Sequence, residues 1–449
     1  DVAPVVTVID AQTHETSAIE LPHGAHSLRD VCVLPDGKHA LVTHLLANFE
    51  QIPFRVDMGW VNVNVISVID TRQRKVLSTI GMDDYDLGAG NPWDVTCTND
   101  GKRVYASLAG THELCVIDTD DLLSDFAYRT MQPMMAVWPI YLSLGESLWR
   151  RIRLPGKGPR GLAAVGSNVY VAQYFSDSVA EVDIEIELPA TRTAKAYLTR
   201  YYSDTTAEDD AAAERSTTIG TIALGPPPQL TLRRRGELLF HDATICYQNW
   251  VSCASCHPDG RGDSLNWDLM NDSVGNPKNT KSMMLAHETP PAMAEGVRAS
   301  AEVAVRSGLA HILFADRPEE EATAIDAYLK SLRPVPSPYL VDGQLSPAAK
   351  RGHKLFHSER VACHRCHPAP KYTDLRAHNV GTRRRNEYTD RFDTPTLIEV
   401  WRTAPYLHDG RYLTVKELLV EGTHGLRGNR SSELTEQDID DLVEFVLSL

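Results

Sequence analysis

The sequence predicts a multidomain chain: an all-β propeller followed by two tandem, mainly α units. Three observations carry this. Strand-like runs ending in an acidic residue recur through the first half. Two later segments repeat one another in register. Each of those segments holds one Cys-x-x-Cys-His pentapeptide, Cys253-Ala254-Ser255-Cys256-His257 and Cys363-His364-Arg365-Cys366-His367.

The β-rich part is read from two recurring units. Strands closing on aspartate appear at Val5–Asp10, Val65–Asp70, Glu113–Asp118 and Ser178–Asp183. Between them, Asp30–Lys38 with Ala40–Val42 and Asp94–Lys102 with Val104–Ala106 each place Asp-Gly between β-rich runs, a strong hairpin signal. A looser copy spans Gly161–Val165 and Asn168–Val171. Radial repetition of such antiparallel units builds a propeller, and about four units fall within residues 1–225. Met131 to Trp149 breaks the alternation and is read as an insertion.

Pro226-Pro227-Pro228 ends the β-rich region and helical periodicity begins. The first helical unit covers residues 229–333 and the second 338–449, joined by Arg333-Pro334-Val335-Pro336-Ser337-Pro338. Arg235–His241 matches Arg351–His357 ahead of the pentapeptides, and Thr280–Pro291 aligns with Thr394–Pro405 at a separation of 114. At that separation Ile325, Tyr328, Leu329 and Leu332 align with Ile439, Leu442, Val443 and Val446. Both sets are the buried stripe of a closing helix, and Thr435 to Asp438 caps the second. The two units are a tandem duplication.

The pentapeptides carry the chemistry. Two thiols one helical turn apart suit thioether bonds to the two vinyl groups of one porphyrin, and the next residue supplies a proximal imidazole to iron. A thioredoxin-like pair or half a zinc site also uses Cys-x-x-Cys, but needs no His directly after it. Cys253, Cys256 and His257 therefore hold one covalent haem c, and Cys363, Cys366 and His367 a second. Each unit is a small cytochrome c unit. Haem c is attached after export, so a periplasmic or otherwise extracytoplasmic location follows; the chain also opens in strand-like sequence, as a processed protein would.

A formal net charge of −15 argues against nucleic acid or an anionic membrane as partner, and no apolar run reaches the length of a membrane span. Four cysteines lie outside the pentapeptides. Cys97 and Cys115 flank a hairpin-rich region and could pair; the alternative is that Cys32, Cys97, Cys115 and Cys246 are all buried free thiols. Asp259, Asp263, Asp268 and Asp272 allow a calcium site, or else a solvated acidic loop.

The sixth position on each iron separates electron transfer from chemistry on a small molecule. His311 and His424 stand at near-equivalent places in the two copies and are the first candidates, with His287 and His408 competing.

Residues 1–225 resemble the YVTN-type propellers of bacterial surface and periplasmic proteins. Thr394-Pro395-Thr396-Leu397, the run Thr403 to Arg411, and Leu413 to Glu417 closely resemble the bacterial dihaem cytochrome c peroxidase and MauG superfamily. That resemblance covers roughly residues 229–449. It implies that the haem at Cys253 and Cys256 reacts with peroxide or oxygen, while the one at Cys363 and Cys366 handles electrons. It also places His424 within about two residues of a Met or Tyr axial ligand, and His there would lower the reduction potential relative to Met. The first unit departs from the pattern: Ala294-Glu295-Gly296-Val297-Arg298 lacks the inter-haem Trp, and the distal Gln is absent. Glu302 or His311 would then have to move the proton during O–O cleavage. Two functions fit. One is a peroxidase or MauG-like oxidoreductase acting on hydrogen peroxide or a redox partner, with the propeller as a docking module. The other is a bis-His electron-transfer protein whose propeller binds a redox partner. The domain pattern favours the first, and the missing distal residues favour the second.

Overall fold

Alternating apolar residues and Asp-Gly turns fold the first half of the chain into antiparallel meanders. The computed structural model describes residues 4–50, 61–84, 87–124, 149–183, 219–268, 277–426 and 434–449. Within them a two-stranded ribbon, β1 (Val5–Ile9) and β2 (Thr16–Glu20), precedes three four-stranded sheets. The first sheet holds β3 (Ala25–Val33), β4 (His39–Ala47), β5 (Asn62–Asp70) and β6 (Lys75–Gly81) in sequence order. The second holds β7 (Pro92–Cys97), β8 (Arg103–Leu108), β9 (Glu113–Asp118) and β10 (Trp149–Arg153). The third holds β11 (Pro159–Val165), β12 (Asn168–Gln173), β13 (Ser178–Asp183) and β14 (Ile219–Ala223).

The last three aspartate-ending runs become the third strand of each sheet, β5, β9 and β13. The two Asp-Gly pairs turn β3 into β4 and β7 into β8, with Gly37 at φ 63° and Gly101 at φ 71°, where only glycine sits without strain. β8 and β9 show why the sheets stack. Val104, Ala106, Cys115 and Ile117 face the first sheet's Leu41, Ile66 and Val68. Tyr105, Leu114 and Val116 face the third sheet's Val169, Val171 and Ala180. Each apolar side chain so enclosed contributes about 1.5–3 kcal/mol. The expected insertion lies outside the described residues up to its end at Trp149, which opens β10.

Of the two alternatives for the remaining cysteines, the free thiols hold: Cys32, Cys97, Cys115 and Cys246 are all unpaired, the first two only half-buried. Cys97 on β7 and Cys115 on β9 are separated by the intervening β8, so a disulfide would have to cross two strand spacings. Cys32 on β3 is what faces Cys97, Sγ to Sγ at 3.8 Å, and Cys115 is buried in the core.

The helical part is built twice. In the first unit α1 (Leu232–His241) crosses α4 (Glu319–Ser331); in the second α5 (Pro347–Phe356) crosses α7 (Glu436–Leu447). Both crossings depend on glycine. A Cβ on Gly236 would lie 1.8 Å from the Ala324 carbonyl oxygen, and one on Gly352 would lie 1.8 Å from that of Asp441. Between these pairs stand a short helix α2 (Cys253–Cys256) and α3 (Ala301–His311) in the first unit, and α6 (Val415–Val420) in the second. The backbone repeats at the separation of the duplication: isolated bridges join Ala292 to Arg298 and Tyr406 to Tyr412, and Met293 and Leu407 both have φ 73°. Thr435 and Asp438 form the reciprocal cap on α7.

Candidate metal centres

Each pentapeptide folds so that its histidine is oriented before any metal arrives. In the first loop, Ser252 and Ser255 cap α2 reciprocally and the His257 amide donates to the Cys253 carbonyl at 2.9 Å. In the second, a 3₁₀ turn over Cys363–Arg365 is followed by a 3.0 Å bond from the His367 amide to Cys363 O. His257 Nδ1 lies 2.9 Å from Arg261 O, and His367 Nδ1 lies 2.9 Å from Tyr372 O. A carbonyl can only accept, so Nδ1 carries the hydrogen in both rings and Nε2 presents its lone pair. Burial holds both imidazoles below the usual histidine range, which keeps them neutral, as a metal ligand must be. With two thiols placed beside it, each such ring fits a covalently held haem.

The surroundings of the two loops differ. The first is enclosed by the β-region. Asn91 Nδ2 donates to Ser252 Oγ at 2.6 Å, and Ser255 Oγ donates to Asn91 Oδ1 at 2.7 Å. Asn62, held by His26 at 3.0 Å, brings its amide to 3.8 Å from Cys256 Sγ. Main-chain bonds from Gly88 N to Gln248 O at 2.8 Å and from Ala243 N to Gly110 O at 2.9 Å complete the seam. The second loop has its Arg365 exposed. Cys366, Asp374 and His378 converge there, but Cys366 belongs to the pentapeptide and Asp374 is already bonded to His378 at 2.7 Å.

The two units lock together behind the first loop. Arg261, whose carbonyl holds His257, sends its guanidinium to both carboxylate oxygens of Glu399, at 2.8 and 3.0 Å. Glu399 is 1% exposed and also accepts from the Val335 amide of the linker at 2.5 Å. Lys278 reaches Glu387 at 2.9 Å, Lys281 reaches Asp393 at 2.6 Å, and Asn279 N donates to His408 O at 2.7 Å.

The candidate distal groups fall unequally. Glu302 opens α3 and is engaged by Lys330 at 2.8 Å, a hydrogen bond that holds its carboxyl down to about 2. His311 is the exposed last residue of that helix. Neither is drawn into a buried centre. His424 is half-buried after α6, its amide bonded to Leu418 O at 3.2 Å. His408 is enclosed, 2.9 Å from Glu387 and stacked on Phe392 at 3.7 Å. His287 is also enclosed: its side chain is 3% exposed, Nε2 bonds Asp326 at 2.9 Å, and its buried Nδ1 has no hydrogen-bond partner among the described residues. Among the described residues, Asp259, Asp263 and Asp268 of the four considered for calcium form no metal-ligating cluster. Asp259 faces Arg29 at 3.5 Å, Asp263 accepts from Leu265 N and Trp267 Nε1, and Asp272 lies outside the described residues.

Sequence reasoning missed Asn62, Asn91, Arg261 and Glu399. Their partners lie far along the chain, so no local spacing marks them.

No family model matches the chain. Among curated proteins, hydrazine synthase subunit gamma of Kuenenia stuttgartiensis is 29% identical over 282 residues, 50% of this chain and 79% of that protein. The beta subunit from the same organism is 26% identical over 184 residues, 40% of this chain and 47% of its own. The methylamine utilization protein MauG of Methylorubrum extorquens is 23% identical over 282 residues, covering 48% and 76%. Over about half its length the chain is thus similar both to hydrazine synthase subunits and to MauG. Among solved structures, K. stuttgartiensis hydrazine synthase aligns with 50% of this chain and 88% of the matched one, at 26% identity and TM-score 0.45. A variant of the diheme peroxidase BthA from Burkholderia thailandensis aligns with 49% and 85%, at 16% identity and TM-score 0.39. Among the described residues no helix is long and apolar enough to cross a membrane.

Proposed function

We propose that the chain is an extracytoplasmic dihaem c-type oxidoreductase of the MauG and peroxidase kind. Residues 1–225 are read as a propeller, with cytochrome c units at 229–333 and 338–449. Cys253, Cys256 and His257 hold the haem that meets a small oxidant such as hydrogen peroxide. Cys363, Cys366 and His367 would hold the haem that exchanges electrons with a partner, and the half-buried His424 would be a further residue able to hold its iron. The observation that carries this reading is the duplicated loop whose histidine is fixed through Nδ1, once enclosed and once open.

When bound, each haem supplies a one-electron redox centre; the protein supplies position and protons. Proton movement at the first centre is assigned to His287 rather than to Glu302 or His311. Asp326 accepts the Nε2 hydrogen of His287, so its buried Nδ1 is left as the acceptor. Glu302, tied to Lys330 and held acidic, is a poor proton donor near neutrality. No calcium step is included, since Asp259 and Asp263 already have partners.

The second reading is electron transfer alone, with both irons closed by histidine; the half-buried His424 favours closure at the second. Electron paramagnetic resonance of the ferric protein separates the two. A high-spin component converted by peroxide is expected. Low-spin signals unchanged by peroxide, in both resting and half-reduced protein, would reject the enzyme.

A further inference from the structure

The chain is acidic, yet the stretch around the second haem loop is not. Between residues 350 and 391 stand eleven Lys and Arg against four Asp and Glu, in a chain whose formal net charge is −15. Four acidic groups from elsewhere reach in: Asp441 to Arg351, Asp438 to Arg360, Glu288 to Lys371 and Asp409 to Arg384. A cationic excess survives them. Lys350 and Lys354, one turn apart on α5, are exposed, as are Arg376 just beyond the loop and Arg365 within it, which Glu359 engages. Leu375, 42% exposed, and Tyr388, 75% exposed, are the exposed large apolar side chains of the same stretch.

The first loop offers no such face. Its capping serines and one of its thiols are covered by Asn91 and Asn62 of the β-region.

We infer that the cationic face around the second haem loop is the docking surface for an acidic redox protein. The inference rests on the dihaem reading above and adds to it the place and charge of the partner. Global charge would favour a basic partner; the local field at the electron-transfer edge favours an acidic one. Short-lived redox complexes are steered by such local fields, which act over about 10 Å at 0.1 M salt. Exposed apolar side chains among exposed cations let a small partner dock and leave.

The test uses the full-length, haem-loaded protein, reduced and then mixed in stopped flow with one of two protein oxidants: acidic plastocyanin or basic mitochondrial cytochrome c. Plastocyanin is expected to oxidise it faster at low salt and to slow about tenfold as ionic strength rises. The double substitution Lys350→Glu with Lys354→Glu is expected to lower that low-salt rate by a similar factor. Lys75→Glu with Lys102→Glu, on the β-region, should leave it unchanged. A faster low-salt reaction with cytochrome c overturns the inference. So does a plastocyanin rate indifferent to salt and to the α5 reversal. The dihaem reading fails separately, if covalent haem analysis of the same sample finds fewer than two haems per chain.

Discussion

His287 gives its Nε2 hydrogen to Asp326, and that single bond fixes which nitrogen is left to act. Arg306 holds the other Asp326 oxygen, so the carboxylate is pinned from two sides. His287→Gln keeps a polar group of similar size but removes a titrating one. It is expected to slow the reaction with peroxide about 10²-fold and to leave the haem content unchanged. A rate within about twofold of the parent would take His287 out of the proposed mechanism. Glu302→Gln should change that rate little, since Lys330 already occupies the carboxylate. The contrast shows why residue type alone misled. Glu302 and His311 read from the sequence as groups able to move a proton, and His287 only as a competing ligand for the iron. Only the fold tells an exposed helix end from a buried ring.

At the scale of elements, glycine sets the helix pairs of both units. Gly236→Ala and Gly352→Ala each drive a Cβ into a facing carbonyl oxygen, and each should cost about 1–3 kcal/mol or more in urea unfolding. A loss in one copy and none in the other would mean that the two crossings are not the same device. The neighbouring sheets carry a pH-dependent contact. Asp94 on β7 accepts from Leu162 N on β11 at 2.6 Å and is hydrogen-bonded to Asp30 on β3. Burial, with Asp30 adding to it, pushes Asp94 up to about 7. The unfolded carboxyl ionises near 4, so the folded state binds the extra proton between about pH 4 and 7 and loses stability as pH rises through that window. Asp94→Asn mimics the protonated acid. Its melting temperature should exceed the parent's at pH 8 and match it near pH 4; an unchanged pH profile would remove this pair as the cause.

Across the whole molecule, what the sequence disclosed was local and periodic. The haem loops, the duplicated units and the Asp-Gly hairpins all lie within spans that a window of residues can reveal. The long-range joints do not. Arg261 and Glu399 stand 138 residues apart, and Asn91 and Ser255 stand 164 apart. The cysteine pairing failed for a related reason: nearness in sequence hid the strand lying between Cys97 and Cys115. The Arg261–Glu399 pair is nearly enclosed, so breaking one side should cost more than removing both. Glu399→Leu is expected to lose about 3 kcal/mol, and Arg261→Met added to it should recover much of that. Equal losses in the single and double variants would reduce the pair to incidental contact.

The Asn62 and Asn91 contacts also impose an order in time. A thiol can accept a porphyrin only while the space beside it is open, and the β-region closes over the first loop once it packs. On the proposed dihaem reading, the first haem would be joined to the chain before that packing is complete.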